Sequence, residues 1–112
     1  MAPDTSDYYI AVVLFVSTSD SATYRPLYEE SLLLVTAADE DAAHAKAETA
    51  AKARETTYDN DMGETIMYAF KEIVDVRQVD DALVDGAEVY SRHFRNYDAY
   101  RDFEPMLDGS ID

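Results

Sequence analysis

The 112-residue chain contains no cysteine and no tryptophan, and it has only three glycines and three prolines. Without cysteine it can form no disulfide framework, no thiolate zinc site and no cysteine nucleophile, and it fits a reducing compartment. Three glycines are too few for the glycine-rich loops that cradle phosphate groups. These absences exclude disulfide scaffolds, thiolate chemistry and the usual nucleotide-binding loops.

Basic residues are also scarce, with 9 Lys and Arg against 24 Asp and Glu, so the formal net charge is −15. Such a surface repels nucleic acid and anionic lipid, and we expect no direct nucleic-acid binding. The charge favours protein partners of basic character. An acidic, lysine-poor surface is equally typical of proteins adapted to high salt, and the sequence leaves both interpretations open.

Long hydrophobic runs are missing as well. The longest, residues 8–16, has nine residues, whereas a membrane-spanning helix needs about 20. The N-terminus is acidic where a signal peptide needs a basic start, so we expect a cytoplasmic protein without membrane contact. Hydrophobic residues make up 47% of the chain, enough for one core. We place this domain at residues 8–104, between flexible termini at 1–7 and 105–112.

The first half of the chain predicts a β-hairpin followed by a helix. Residues 8–17 are apolar on both faces, which indicates a central strand, and residues 27–36 form a second strand after a turn-rich loop. Asp39 is a good N-cap for an alanine-rich helix over residues 40–55. The apolar stripe of this helix, at spacings of three and four, consists of Ala43, Ala47, Ala50, Ala51 and Arg54.

A third strand is predicted over residues 65–79, where the apolar alternation changes parity and indicates a β-bulge near Lys71 and Glu72. The preceding segment 58–64 begins like a calcium-binding loop, but glycine and glutamate do not fall at the positions that an EF-hand requires. It is better interpreted as a turn with Gly63 at positive φ.

The last part of the chain predicts a fourth strand over residues 87–94 and a short helix over 97–103, capped by Asn96. The order is therefore β-β-α-β-β-α. This pattern is typical of an α+β domain with a four-stranded, mostly antiparallel sheet. The alanine-rich helix packs on one face of that sheet.

Several segments together resemble the family known as domain of unknown function 4288, a small prokaryotic family. They are residues 9–15, residues 27–31, the alanine-rich helix ending near Arg54, and residues 85–92 with Phe94. The resemblance spans residues 8–104. It implies a single domain with no assigned activity, since none of these motifs is a catalytic signature.

Glu29 and Glu30 are adjacent in the second strand, so their side chains point to opposite faces. They therefore cannot form the shared carboxylate site of acid–base catalysis. Two interpretations remain open. Either both are solvated, or one of them is a structural carboxylate that accepts a hydrogen bond from Arg54, Arg92 or Arg95.

No constellation of catalytic or metal-binding residues emerges. A zinc site needs three or four converging ligands, and the chain has only two histidines, His44 and His93. A Ser–His–Asp arrangement with Ser31 or Ser91 would lack a nucleophile-elbow motif. We expect no catalytic residue, no metal and no cofactor.

One short region departs from the acidic composition. Residues 91–101 contain three arginines and one aspartate, a net of +2, which leaves −17 for the rest of the chain. Arginine flanked by aromatic residues is typical of interaction hot spots. The alternatives are that these arginines neutralise nearby carboxylates within the fold, or that they bind a small anion. The candidate interaction patch consists of Tyr90, Arg92, His93, Arg95, Tyr97, Tyr100 and Arg101.

The sequence favours a non-enzymatic protein-interaction module, such as an inhibitor or immunity-like protein that binds a basic partner. Exposed edge strands would allow a homodimer. One alternative is a small-ligand-binding protein or minor enzyme with a site near the fourth strand and the final helix. Another is a nucleic-acid mimic. The sequence does not identify the partner.

Overall fold

The computed structural model describes residues 7–107, 109 and 110 of the chain. Its elements are β1 (Asp7–Ser19), β2 (Leu27–Ala37), α1 (Glu40–Lys52), β3 (Thr56–Asp59), β4 (Thr65–Gln78) and α2 (Tyr97–Phe103), followed by a 3-10 turn at Pro105–Leu107. The strands form one antiparallel sheet in the order β2-β1-β4-β3. The predicted α+β class and the order β-β-α-β-β-α are confirmed.

Strand β1 lies at the centre of the sheet, between β2 and β4. This position explains why it is apolar on both faces, since each face must be buried. Its odd-numbered residues face α1 and form the main core: Tyr9, Ala11, Val13 and Phe15. The predicted hairpin with β2 is confirmed, with Val13 opposite Ser31.

Helix α1 packs on the sheet through a narrow row of alanines. It begins after Asp39, whose side chain accepts a hydrogen bond from the Ala42 N–H at 2.8 Å. Ala43, Ala47 and Ala51 are completely buried. Their methyl groups let the helix approach the strands closely, because no longer side chain separates the two backbones.

The predicted apolar stripe was too wide, and the predicted helix too long. Ala50 and Arg54 are exposed, because only residues four apart stay on the side that faces the sheet. The helix ends at Lys52, and Ala53 forms its C-cap by donating its N–H to Thr49.

Two β-bulges in β4 explain the change of parity in its sequence. Val12 and Val13 of β1 lie opposite Asp75 and Ile73, and Leu14 and Phe15 lie opposite Glu72 and Phe70, so Val74 and Lys71 are extra residues. The helix-facing positions of β4 in this region are Phe70, Ile73 and Val76, three residues apart instead of two. The bulge predicted near Lys71 is confirmed, and the one at Val74 is an addition.

The fourth strand lies elsewhere than predicted. It is β3, which pairs with the first residues of β4, with Tyr58 opposite Ile66. Residues 87–94 belong to no strand. The prediction was wrong here because β3 is short and exposed at all four positions, and therefore has no apolar alternation to reveal it.

The segment between β3 and β4 is a hairpin turn. The Asn60 side-chain oxygen accepts hydrogen bonds from the N–H groups of Met62 and Glu64 at 3.0 and 2.9 Å. Gly63 has φ of +77°, as predicted, and this conformation favours glycine.

The buried alanine row gives a direct test of the helix–sheet contact. Ala47→Leu should lower the free energy of unfolding by about 1–3 kcal/mol, because the added carbons have no space in a filled interface. Ala50→Leu is the matched control on the exposed side of α1, and we expect a change within about 0.5 kcal/mol. Urea unfolding followed by circular dichroism measures both, and equal effects would contradict the packing described.

Candidate functional site

The C-terminal part of the chain stands apart from the rest of the molecule. We call residues 92–107 the arm. Helix α2 of the arm approaches only the 3-10 turn that follows it, and it contacts neither α1 nor any strand within the described residues. The radius of gyration is 17.3 Å, compared with about 13 Å for a compact domain of this length. The arm therefore adds exposed surface instead of core.

Local sequence explains why α2 forms where it was predicted. The side chain of Asn96 accepts a hydrogen bond from the Ala99 N–H at 3.0 Å and caps the helix. Asp98 lies in the first turn and Arg101 in the last, so both charges match the helix dipole. Pro105 has no N–H to continue the helical hydrogen bonds, and the helix ends at Phe103.

The arm is held together by its own side chains. The rings of Phe94 and Tyr100 stack with centroids 4.8 Å apart, and Arg101 donates to the Tyr97 hydroxyl at 3.4 Å. None of its residues is buried. The large apolar side chains that remain exposed are Phe94, Tyr97, Tyr100, Phe103, Met106 and Leu107.

The structure places most of the candidate interaction patch on the arm. Its exposed members there are Arg92, His93, Arg95, Tyr97, Tyr100 and Arg101. The three arginines form no ion pair with any carboxylate in the described part of the chain. Intramolecular neutralisation, the alternative considered for these arginines, is therefore not observed among those residues.

Tyr90 differs from the other patch residues because it belongs to the body of the protein. Its hydroxyl donates to Asp75 Oδ2 at 2.7 Å, and Arg77 Nε lies 3.2 Å from the same oxygen. The other oxygen of Asp75 accepts the Val76 N–H at 2.9 Å. Burial raises the pKa of Tyr90, and the hydrogen bond to Asp75 raises this pKa further. This contact tethers the chain to β4 just before the arm begins.

The sheet face turned away from α1 is incompletely covered. We call it the open face; it comprises the even-numbered residues of β1 and their cross-strand neighbours on β2 and β4. Ile10 and Val12 are buried there, but their β2 neighbours Leu34 and Leu32 are 53% and 51% exposed. Tyr28, at the far end of β2, is 57% exposed. The open face is therefore an apolar surface without a complete cover in the described structure.

Two carboxylates lie in the middle of the open face. Glu30 of β2 and Glu72 of β4 lie directly opposite Leu14 on its two sides. Both are exposed, and neither forms an ion pair with a described residue. An apolar surface with paired, unneutralised carboxylates is suited to a ligand that is both apolar and basic.

The neighbouring carboxylate, Glu29, points to the other face, as predicted for adjacent strand residues. It accepts a hydrogen bond from the Tyr68 hydroxyl instead of one from an arginine. Burial raises the pKa of Tyr68, and the Glu29 contact adds to the rise. The Tyr68 ring stacks on Phe15 at 4.9 Å. Glu29 is therefore a structural carboxylate, although its donor differs from the three arginines that were considered.

A polar cleft of about 290 Å³ lies beside the Tyr90 tether, lined by Arg77, Gln78, Asp80, Asp81 and residues 88–91. His93 does not line it. Within residues 7–107, 109 and 110, no cluster of three or more His, Asp or Glu side chains could hold a metal ion. None of the helices described is long and apolar enough to cross a bilayer.

Comparison with known proteins identifies the family. The family model described as "Domain of unknown function (DUF4288)" matches residues 8–91. The chain belongs to the DUF4288 family. No curated protein and no solved structure matches it. The DUF4288 match covers the sheet, α1 and the Tyr90 tether, and it stops immediately before the arm, short of the resemblance to residue 104.

The Tyr90 tether leads to a prediction about alkaline stability. The raised pKa of Tyr90 lies above the ordinary tyrosine value of about 10. The protonated hydroxyl therefore stabilises the folded state below pH ~10. This contribution is lost as the pH rises through the folded-state pKa. Tyr90→Phe should lower the free energy of unfolding at pH 7 by about 0.5–1.5 kcal/mol. The difference from wild type should shrink above pH ~10.

Urea unfolding at a series of pH values measures this effect. Tyr97→Phe is the matched control. Among the described residues the Tyr97 hydroxyl has a hydrogen bond with Arg101 alone, at 3.4 Å, so this substitution should change stability little at any pH. A difference between wild type and Tyr90→Phe that persists unchanged into the alkaline range would contradict the proposed protonation dependence.

Proposed function

We propose that this DUF4288 protein is a non-enzymatic protein-interaction module that uses the arm and the open face as its binding surfaces. The observation that carries the proposal is the arm. It combines exposed aromatic rings with arginines that have no described carboxylate partner, and within the described part of the chain its helix contacts neither α1 nor any strand. An inhibitor or immunity-like role is one form that this function would take.

The exposed apolar side chains of the arm favour binding energetically. Phe94, Tyr97 and Phe103 are each 56–61% exposed, and in water such surface is unfavourable by about 25 cal/mol for each Å² left unburied. Contiguous exposed apolar surface rimmed by polar groups is typical of sites that bind another protein. Binding would bury the rings that folding leaves exposed.

The charges support the same proposal. An arginine that already forms an intramolecular ion pair must break it before it binds elsewhere, whereas Arg92 and Arg95 form no ion pair with a described carboxylate. Their planar guanidinium groups suit bidentate contacts with a partner's carboxylates. The strongly acidic body favours basic partners, whereas Arg92 and Arg95 at the start of the arm favour carboxylates.

Charge reversal on the arm tests the proposal. Arg92→Glu combined with Arg95→Glu should reduce recovery of specific partner proteins at least tenfold, which corresponds to about 1.4 kcal/mol, while the fold is retained because both positions are exposed. The measurement is quantitative mass spectrometry of proteins captured by the tagged full chain from a native lysate.

The control variant is Arg25→Glu combined with Lys71→Glu, which changes the net charge equally at two exposed positions outside the arm. It should retain the partners. If the arm variant and the control capture the same proteins in the same amounts as wild type, the arm is not the binding surface and the proposal fails.

A further inference from the structure

We propose that the arm of one chain binds the open face of a second copy, and that two chains exchange arms in a symmetric dimer. This inference rests on the proposed function and names its partner. Both surfaces are present in the same chain, and the start of the arm is basic where the middle of the open face is acidic.

The arm and the open face both expose large apolar side chains, and together these could bury the area of a stable interface. The arm presents a cluster of aromatic side chains, and the open face presents Tyr28, Leu32 and Leu34, all more than half exposed. One docked arm would bury on the order of 800 Å², summed over the arm and the open face, if about half of the area of each large exposed side chain becomes buried. Two docked arms would bury about 1,600 Å², which is the usual size of a stable interface.

The charged parts match as well. Glu30 and Glu72 flank Leu14 on the open face, exposed and without a described ion-pair partner. Arg92 and Arg95 at the beginning of the arm are exposed and equally unpaired with described carboxylates. Arginine–glutamate contacts here would place the basic start of the arm at the acidic middle of the face, with the aromatic rings over the exposed leucines.

The position of the tether favours a second copy over the chain's own face. The Val79 N–H bonds to the Tyr8 carbonyl at 2.8 Å, and Tyr90 bonds to Asp75 opposite Val12. The chain between them therefore lies along one end of the open face. The arm leaves from this border, and among the described residues its helix α2 contacts no strand of its own sheet. The exchange requires a two-fold axis that brings each arm next to the partner's exposed leucines.

Charge-swapped variants test the exchange in full-length chains. The arm variant carries Arg92→Glu and Arg95→Glu, and the face variant carries Glu30→Arg and Glu72→Arg. Each variant alone should have a dimer dissociation constant at least tenfold higher than wild type, because like charges meet at both contacts. An equimolar mixture should form a heterodimer with near wild-type affinity, since both contacts then join opposite charges.

Sedimentation equilibrium at several protein concentrations measures these constants, and circular dichroism verifies the fold of each variant. The inference is overturned if the wild-type chain stays monomeric at about 100 μM, because its binding free energy would then be weaker than about −5.5 kcal/mol. A wild-type dimer that the variants leave intact, or a mixture that does not associate, also overturns it. If the dimer is absent but the arm variant still loses its lysate partners, the inference fails and the proposed function stands.

Cysteine cross-linking gives a second measurement that does not depend on the charge variants. The native chain has no cysteine, so Tyr97→Cys in one chain and Leu34→Cys in another introduce single thiols at exposed positions. A mixture of the two should form a disulfide-linked heterodimer under mild oxidation. A chain that carries both substitutions and closes only an internal disulfide would show that the arm folds back on its own face, which overturns the exchange.

Discussion

The contact between α1 and β1 determines the rest of the structure. Ala43, Ala47 and Ala51 are completely buried against the odd-numbered residues of β1, and their small size holds the helix close to the sheet. A single helix can cover only one face of a four-stranded sheet. Because β1 is apolar on both faces, the opposite face also needs a cover. The chain between β4 and the arm covers only one end of it, and the exposed leucines of β2 are the consequence.

The bulges of β4 determine where the arm leaves the body. If β4 alternated strictly, Phe70, Ile73 and Val76 could not all face the helix, because they are three residues apart. The extra residue at Val74 lets Ile73 pack under α1 while Asp75 lies opposite Val12 on the open face. Asp75 is the acceptor for Tyr90, so the same irregularity that completes the core also fixes the start of the arm.

The sequence predicts the elements that have an apolar pattern, and it predicts α2, which has no buried residue, from its Asn96 cap. Strands β1 and β2, helix α1 and the bulge near Lys71 are all marked by apolar patterns, although most of β2 is exposed. Strand β3 is exposed throughout, so it has no apolar alternation, and the strand propensity of two threonines and one tyrosine is a weak signal over four residues. Residues 87–94 have strand-like composition, but backbone pairing depends on a free neighbouring edge, which local sequence does not encode. Charge and aromatic content predict the interaction patch, and its binding role stays a prediction. The separate role of Tyr90 depends on Asp75, fifteen residues away.

The net charge of −15 does not oppose association through the arm as strongly as its size suggests. Repulsion between two acidic bodies acts over distances comparable to the Debye length, about 8 Å at physiological ionic strength, so salt weakens it readily. Contacts between Arg92 or Arg95 and the carboxylates of the open face would be short and partly desolvated, and salt screens such pairs much less. In the proposed dimer, added salt therefore removes more repulsion than attraction. This links the two explanations of the acidic composition, partner binding and adaptation to high salt. On a surface adapted to high salt, a short basic segment still binds carboxylates selectively.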